Sequence, residues 1–453
     1  MLAFLGFLTV ALMLALIIWK KLTPTVALIA APLVTGLISC GFTVTDPEAA
    51  PGRIDFLQNA KNLGGMIVGA QGIGSVAATG VMFLFSILFF GILTDAGTFR
   101  PIIRGIIRRM GGNPVLITLG TALLAMCVHL DGSGAVTFLI CVPPLVPLYD
   151  AMGMRRTTLA TTVALAAGTM NILPWGGPTI RAASALGAGD PVGFFLPVLP
   201  AVGVGLGCVL GFAALLGLWE KSRAGRLAPA GGAYQEQELS PEQQALLRPR
   251  LFWVNIGLIV LAIASLLLSG LAPAVVFMIF YVLATVINYP NVDQSKARVD
   301  AHAQSAMMMC SVLFAAGCFC GIMKGSGMID AMAKALVSVM PDSLARFFPA
   351  ITGVISMPAS LVFDPDSFYY GVLPILGETA KGFGVDPLMV GRAAILGQMT
   401  TGFPVSPLSP ATFLLVGLAG VDLGEHQKRT IPFALALTLI MLAVAMLTGG
   451  VSL

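Results

Sequence analysis

The sequence predicts an all-α polytopic membrane protein, and three observations support this fold class. Of the 453 residues, 57% are hydrophobic and only 10% are charged, whereas about 25% of the residues of a soluble domain carry charge. Many apolar stretches approach the roughly 20 residues that a helix needs to cross a bilayer. These stretches also follow the same order in both halves of the chain. Soluble enzymes are therefore excluded, and the small net charge of +4 gives no electrostatic footprint for nucleic acid.

Each half of the chain offers five crossings and one interrupted apolar stretch. The first run lacks a charged n-region and a small-residue cleavage site, so we expect a retained first helix rather than a signal peptide. The interrupted stretches, 114–149 and 345–381, are expected to form re-entrant hairpins, and 42–75 is expected to be a long loop. The predicted crossings are 2–19, 22–41, 76–93, 158–188 and 194–218, followed by 251–270, 271–289, 306–323, 388–420 and 430–450.

Short similar strings in matching order indicate an internal repeat. One such pair is Gly168-Thr-Met170 and Gly397-Gln-Met399. Because five crossings is an odd number, the second copy enters the membrane from the opposite face. We therefore predict two inverted repeats, 1–218 and 251–453, joined by a linker at 219–250 that has no apolar period.

The distribution of Lys and Arg predicts the orientation, since cytoplasmic loops are enriched in these residues. Most basic residues fall in inner loops when the N-terminus is placed outside. We therefore expect both termini outside and the linker in the cytoplasm, in a protein of the cell inner membrane. His302 and His426 then fall in inner loops, where we expect them to be solvated.

Glycine and proline clusters interrupt four apolar stretches. Two lie in the hairpins, at 129–134 and 363–367, and two in the fourth crossing of each half, at 171–179 and 400–410. An isolated proline is an ordinary kink, but unpaired backbone at membrane depth is tolerated only against protein or a wet cavity. Matched interruptions in inverted halves indicate a transporter site at the midplane. Because broken helices expose N–H groups to anions and carbonyls to cations, we expect both ligands.

Ionisable and polar side chains at these interruptions are the candidate ligand groups. Asp131, Asp364 and Asp366 are candidate metal ligands or proton carriers, because a carboxylate in the membrane requires a partner, although Asp-Gly and Asp-Pro are also common turn dipeptides. Arg181 is expected either to bind a substrate carboxylate or to lie at the lipid interface. His129 is expected either to relay protons or, as is more common for a lone His among apolar residues, to be structural. The candidate substrate-binding residues, besides Asp131 and Arg181, are Gly132, Ser133, Gly134, Asn171, Pro174, Gly176, Gly177, Thr179, Ser367, Thr400, Thr401, Gly402, Ser406 and Ser409.

The sequence resembles the citrate-metal-proton symporter family, part of the ion transporter superfamily, over nearly its whole length. The strings that carry the resemblance are LDGSG at 130–134, MNILPWGGPTIRA at 170–182, DPDSFYYGVLPIL at 364–376 and PVSPLSPATFLLVGLAGVDLGEHQKR at 404–429. The resemblance implies import of citrate complexed with a divalent cation, together with protons, by an elevator motion. It implies hairpin tips at 131–134 and 364–367. The family often carries a second acidic residue where this chain has Ser133, which bears on metal preference and proton number.

The chemistry of the cargo agrees with a metal complex. Citrate carries up to three negative charges, and a bound Mg or Ca ion removes two of them while offering bonds to hard oxygen ligands. The cation is thus part of the substrate, and no permanently bound cofactor is expected. The alternatives are a proton- or sodium-coupled symporter of another di- or tricarboxylate, an intramembrane aspartyl protease and a passive channel. The expected partners are membrane lipid and a second copy in a homodimer.

Overall fold

The computed structural model describes residues 1–19, 21–43, 54–110, 112–224, 240–339, 346–398 and 400–452, and the regular secondary structure of these residues is helical throughout. The first half contains α1 (Leu2–Ile18), α2 (Pro24–Cys40), α3 (Phe56–Val68), α4 (Ile73–Asp95), α5 (Arg100–Met110), α6 (Pro114–Val128), α7 (Gly134–Ala151), α8 (Arg156–Met170), α9 (Gly177–Leu186), α10 (Pro191–Phe195) and α11 (Leu199–Ala224).

The second half begins with a short helix. Its elements are α12 (Pro241–Leu246), α13 (Phe252–Leu268), α14 (Pro273–Asn288), α15 (Val292–Gly325), α16 (Met328–Val339), α17 (Phe348–Ala359), α18 (Leu373–Gly382), α19 (Pro387–Ile395), α20 (Pro410–Ala419) and α21 (Leu423–Leu447).

Local sequence explains where many helices begin. Proline occupies one of the first two positions of α2, α6, α9, α14, α19 and α20, where its missing N–H would have no helical acceptor. Side chains cap other first turns: Ser133 accepts from the backbone of Val136 at the start of α7, and Asp422 accepts from Gly424 and Glu425 at the start of α21. Such caps satisfy N–H groups that a helix leaves unpaired.

The helices pack in two groups. In one group, α4 packs against α14 and α15, while α15 also packs against α2 and α3. In the other group, α6, α8 and α11 pack together, and α21 packs against α8, α11 and α17. Helices α6 and α7 pack together as the first hairpin. Helices α17 and α18 flank the second interruption, are here called the second hairpin, and both pack against α19. These elements belong to the second group together with α8, α9 and α20. The predicted interruptions therefore lie in one of the two groups.

The predicted apolar segments correspond to helices, with two differences. In the described residues, seven helical segments are long and apolar enough to cross a membrane, and five shorter helices are also apolar. The predicted loop at 42–75 contains α3, which runs into a nearly continuous segment with α4. Helix α15 has 34 residues and begins well before the predicted span, because its polar first half continues the helix beyond the apolar window. Residues 225–239 of the predicted linker lie outside the described residues.

Candidate functional site

The tip of the first hairpin, residues 129–133, is a tight turn built around Asp131. Its carboxylate oxygen Oδ1 accepts a hydrogen bond from the backbone N–H of Ser133 at 2.8 Å. Gly132 has a left-handed conformation with φ of 73°, which a residue with a side chain rarely adopts. Asp131 thus performs the turn role of an Asp-Gly dipeptide. Among the described residues, no Lys, Arg or His forms an ion pair with it.

The break between α8 and α9, residues 171–176, lies against this tip. The indole Nε1 of Trp175 donates to the carbonyl oxygen of Leu130 at 2.8 Å. The hydroxyl of Thr179 donates to the carbonyl oxygen of Ile172 at 2.5 Å, which pairs one backbone group of the break. The first break and the first tip are therefore joined directly.

The tip of the second hairpin, residues 360–366, is capped by Asp364. Its Oδ2 accepts from the backbone N–H groups of Asp366 and Ser367 at 3.2 and 3.3 Å, and its Oδ1 accepts from the Ser367 hydroxyl. These bonds precede one turn of π-helix, Ser367–Val372, which leads into α18. Asp364 is therefore engaged in holding the tip.

Arg181 reaches this second tip from α9 in the other half of the chain. Its Nε donates to Oδ1 of Asp366 at 2.7 Å, and the two side chains are 8% and 13% exposed. Arg181 is thus buried in an ion pair, and the expectation that it lies at the lipid interface is wrong. Hydropathy cannot show this, because the partner carboxylate lies 185 positions away in sequence.

The break between α19 and α20, residues 396–409, contacts both hairpins; Met399 within it lies outside the described residues. On the side of the second hairpin, the Tyr369 hydroxyl donates to the Gln398 carbonyl at 2.7 Å, and the Ser406 hydroxyl donates to the Ser360 carbonyl at 2.6 Å. On the side of the first hairpin, the ring of Phe403 stacks on His129 with centroids 6.4 Å apart.

The two breaks also meet each other. A Cβ atom on Gly168, near the end of α8, would overlap the carbonyl oxygen of Thr400, so glycine permits the two backbones to touch. Helix α9, after the first break, packs against α18 and α19, whereas α20, after the second break, packs against α7 and α8. Each half thus places its second broken-helix segment against elements of the other half.

The other predicted site residues lie within this assembly. The Thr401 hydroxyl shares a hydrogen bond of 2.6 Å with Thr438 of α21, and a Cβ on Gly402 would overlap the Ser360 hydroxyl. Asn171 ends α8, and Gly176 and Gly177 begin α9. Pro174 lies in the first break, Gly134 is the first residue of α7, and Ser409 immediately precedes α20.

Three buried polar groups near the breaks lack partners. Both amide atoms of Gln398, the Thr400 hydroxyl and the Ser184 hydroxyl make no hydrogen bond within the part of the chain that the structure describes. The side chains of Gln398 and Thr400 are fully buried. An unpaired buried polar group costs about 1–3 kcal/mol, so such groups call for a partner such as an ordered water, an ion or a ligand. Sequence reasoning missed Gln398, whose only signal was its place in the repeated Gly-x-Met string.

The three predicted aspartates do not form a preassembled metal site. Among the described residues, no three His, Cys, Asp or Glu side chains form a group that could hold a metal ion. Asp364 caps its own tip and Asp366 pairs with Arg181. A role for these aspartates as ligands of a metal that arrives with the substrate stays a prediction.

The two histidines expected in solvated loops both lie in helices, and one of them is buried. His302 lies in α15 with Nε2 at 2.9 Å from a carboxylate oxygen of Asp95, which also pairs with Arg298 at 3.0 Å. His426 is fully buried in the first turns of α21. The expectation of a loop was wrong for both residues, and that of a solvated side chain was wrong for His426, because charged neighbours in the sequence suggested loops where the chain forms helices.

The fold is that of a multi-pass membrane transporter. It is similar to the solved structure of the YdaH transporter of Alcanivorax borkumensis, with a TM-score of 0.63 at 16% identity over 96% of this chain and 98% of that one. It is also similar to MtrF of Neisseria gonorrhoeae, described with a class of antimetabolite efflux pumps, with a TM-score of 0.58 at 14% identity and 93% coverage of both chains.

The chain belongs to the citrate transporter family CitMHS, whose model matches residues 10–397. It is 41% identical over the full length of both chains to the "Citrate transporter" of Bacillus subtilis (strain 168). It is 38% identical to the "Mg(2+)/citrate complex secondary transporter" of the same strain, over 100% of this chain and 99% of that relative. The protein is therefore a transporter and not an enzyme, and the resemblance read from the sequence motifs is confirmed.

Proposed function

We propose that this protein is a secondary active transporter that imports citrate complexed with a divalent metal ion, together with protons. The observation that carries the proposal is the fully buried amide of Gln398, which has no hydrogen-bond partner among the described residues and lies in a break that contacts both hairpins. An amide donates and accepts, so it suits a substrate that offers both carboxylate and hydroxyl oxygens. A relative of matching length is named for a Mg(2+)/citrate complex.

The negative charges of the hairpin tips favour citrate bound to a metal ion over free citrate as the substrate. Free citrate near three aspartates would be repelled, whereas a citrate complex with Mg or Ca has two fewer negative charges and seeks oxygen ligands. Asp131 is the most available carboxylate, because it accepts one hydrogen bond, from Ser133, whereas Asp364 accepts three and Asp366 is paired with Arg181. We assign to Asp131, with Asp364 or Asp366, contact with the cation or the transfer of coupling protons.

The citrate carboxylates are assigned to groups that add no negative charge. The first N–H groups of α9 and α20 follow the two breaks, and helix N-termini bind anions. Arg181 binds a carboxylate of the substrate when its bond to Asp366 opens. The hydroxyls and amides of the breaks and tips complete the set: Ser133, Asn171, Thr179, Ser367, Gln398, Thr400, Thr401, Ser406 and Ser409.

The two packed groups of helices suggest the motion. The hairpins and the broken helices belong to one group, which we propose moves as an elevator against the group that contains α4, α14 and α15. In this proposal the halves are inverted repeats, the hairpins are re-entrant, and the tips meet near the midplane. The termini lie outside and the linker in the cytoplasm, in the cell inner membrane, and the static group forms a homodimer.

Uptake of labelled citrate into proteoliposomes tests the proposal. The experiment compares a panel of divalent metals, with and without an inward proton gradient, and uses protein-free liposomes as the control. We expect uptake to require a divalent ion and to accelerate with the gradient. Competition by unlabelled dicarboxylates and by tricarballylate separates citrate from related acids. Uptake that proceeds without metal, or that follows a sodium gradient instead, would contradict the proposal.

A further inference from the structure

Two consecutive side chains of α21 hold two consecutive carbonyls of the second break. The Nε2 atom of His426 lies 2.8 Å from the carbonyl oxygen of Pro404, and the amide of Gln427 donates to the carbonyl oxygen of Val405 at 2.8 Å. The cap formed by Asp422 sets the first turn of α21 in this position. Two carbonyls that helix formation leaves free in the break are thus paired by side chains.

The contacts of His426 define its proton positions. A carbonyl only accepts, so the hydrogen of the ring must be on Nε2. The other ring nitrogen, Nδ1, then accepts from the Thr430 hydroxyl at 3.2 Å. Because Thr430 uses its hydrogen in this bond, its oxygen accepts from the Thr161 hydroxyl at 2.8 Å. All three side chains are fully buried, and because burying a charge without an ionic partner is costly, we infer a neutral ring.

This chain of hydrogen bonds connects the two broken helices. Thr161 belongs to α8, which ends at the first break, and Pro404 belongs to the second break. The path therefore runs from one half of the protein to the other behind the proposed binding groups. Surroundings of low dielectric constant strengthen each hydrogen bond and make an unpaired donor or acceptor costly. This series of hydrogen bonds therefore favours one relative placement of the two breaks.

We propose that His426 is a positioning residue for the substrate site. As the neutral Nε2–H tautomer, it holds the Pro404 carbonyl and, through Thr430 and Thr161, fixes the second break against α8. The groups of that break, including Gln398 and Thr400, thereby keep the geometry that binds the cargo. The inference rests on the proposed function, because it assigns to the second break contact with the citrate complex.

Substitutions separate positioning from a merely structural role. His426→Phe keeps the ring volume and removes both hydrogen bonds, while His426→Gln retains one donor and one acceptor on a planar group. Thr430→Val removes the donor to Nδ1. The matched control is Thr162→Val on α8, because the Thr162 hydroxyl bonds only to the carbonyl of Thr158 in its own helix among the described residues.

The readout is the KM and the maximal rate of citrate uptake, normalised to folded protein. We expect His426→Phe to raise KM about tenfold, equivalent to about 1.4 kcal/mol, Thr430→Val to raise it about threefold, and His426→Gln and Thr162→Val to stay within about twofold of wild type. A lower yield of folded His426→Phe protein with an unchanged KM would overturn the proposal. Equal damage by Gln and Phe would overturn it as well.

Nitrogen NMR of the full-length protein labelled at histidine tests the tautomer without any transport. The chain has three histidines, and His426→Gln identifies the signal of residue 426 by its loss. We expect a neutral ring protonated at Nε2 and bare at Nδ1. A ring protonated at Nδ1 contradicts the hydrogen-bond chain. If wild-type vesicles fail to accumulate citrate, the proposed function fails, and this measurement still decides the geometry.

Discussion

Arg181 and Asp366 form a buried ion pair of 2.7 Å between the first broken helix and the second hairpin. They are separated by 185 positions in sequence, and each lies beside an interruption that the sequence predicts. The pair therefore links the two halves at the site. Opening it would free both the guanidinium of Arg181 and the carboxylate of Asp366 to contact the substrate.

Neutralising one member of this pair is expected to damage stability as well as transport. Asp366→Asn leaves the Arg181 charge buried without its partner, a loss of about 3–5 kcal/mol. The double variant Arg181→Gln with Asp366→Asn removes both charges, and we expect it to recover most of the thermal stability in detergent but not the uptake of citrate. Full uptake by the double variant would show that the pair serves folding alone.

Replacing Gln398 by leucine separates a ligand-binding role from a packing role. Because both amide atoms lack partners among the described residues, an apolar side chain of similar size should leave the melting temperature unchanged or raise it. We expect citrate uptake to fall by about tenfold, the equivalent of about 1.4 kcal/mol of lost substrate interaction. Thr169→Val is the matched control, since Thr169 occupies the corresponding position of the predicted repeat and bonds to the Leu165 carbonyl of its own helix. Normal uptake by Gln398→Leu would remove this residue from the site.

The carboxylate of Asp131 can be neutralised without disturbing its turn. Asn keeps the side-chain oxygen that accepts from the Ser133 N–H at 2.8 Å, so Asp131→Asn should fold normally while its charge is lost. We expect the dependence of uptake on metal and on pH to change, measured as initial rates across metals and external pH. Asp190→Asn is the control, because Asp190 likewise caps backbone N–H groups, at the start of α10. Unchanged metal and pH profiles would refute the assignment.

Adding a second carboxylate to the first tip should alter metal preference. Ser133 caps α7 by accepting from the Val136 N–H at 3.3 Å, and aspartate is an equally good cap. Ser133→Asp should therefore preserve the fold. It also introduces the second acidic residue that the family often carries at this position of the first hairpin tip. We expect a changed ranking of uptake rates among Mg, Ca and transition-metal complexes of citrate. An identical ranking would mean that the first tip does not contact the cation.

Sequence reasoning located the helix interruptions because their cause is local. Clustered proline and glycine at 174–178 and 402–410 disfavour a continuous helix, and the structure breaks the helices there. Hydropathy also located most apolar helices, but it missed α3 at Phe56–Val68 in a stretch expected to be a loop. That helix carries polar side chains among its apolar ones, and its packing against α15 is a property of the tertiary structure.

The parts of the site that escaped prediction depend on contacts between distant residues. The burial of His426 and its bond to Pro404 arise because the first turns of α21 pack onto the second break, which no window of the sequence reveals. In the sequence, Gln398 stands out only through its place in the repeated Gly-x-Met string. Whether its amide has a hydrogen-bond partner depends on the tertiary structure around it. For Arg181 the sequence allows either a substrate carboxylate or the lipid interface; the position of Asp366 excludes the interface, and binding of a substrate carboxylate stays a prediction.

The contact between Gly168 and the Thr400 carbonyl constrains how the cargo can be changed. At this contact no side chain lies between the two main chains, so no substitution of a side chain can widen the gap between α8 and the second break. Engineering the protein to accept a bulkier acid therefore has to begin at the hairpin tips, where side chains and turns can be exchanged while this backbone contact is kept.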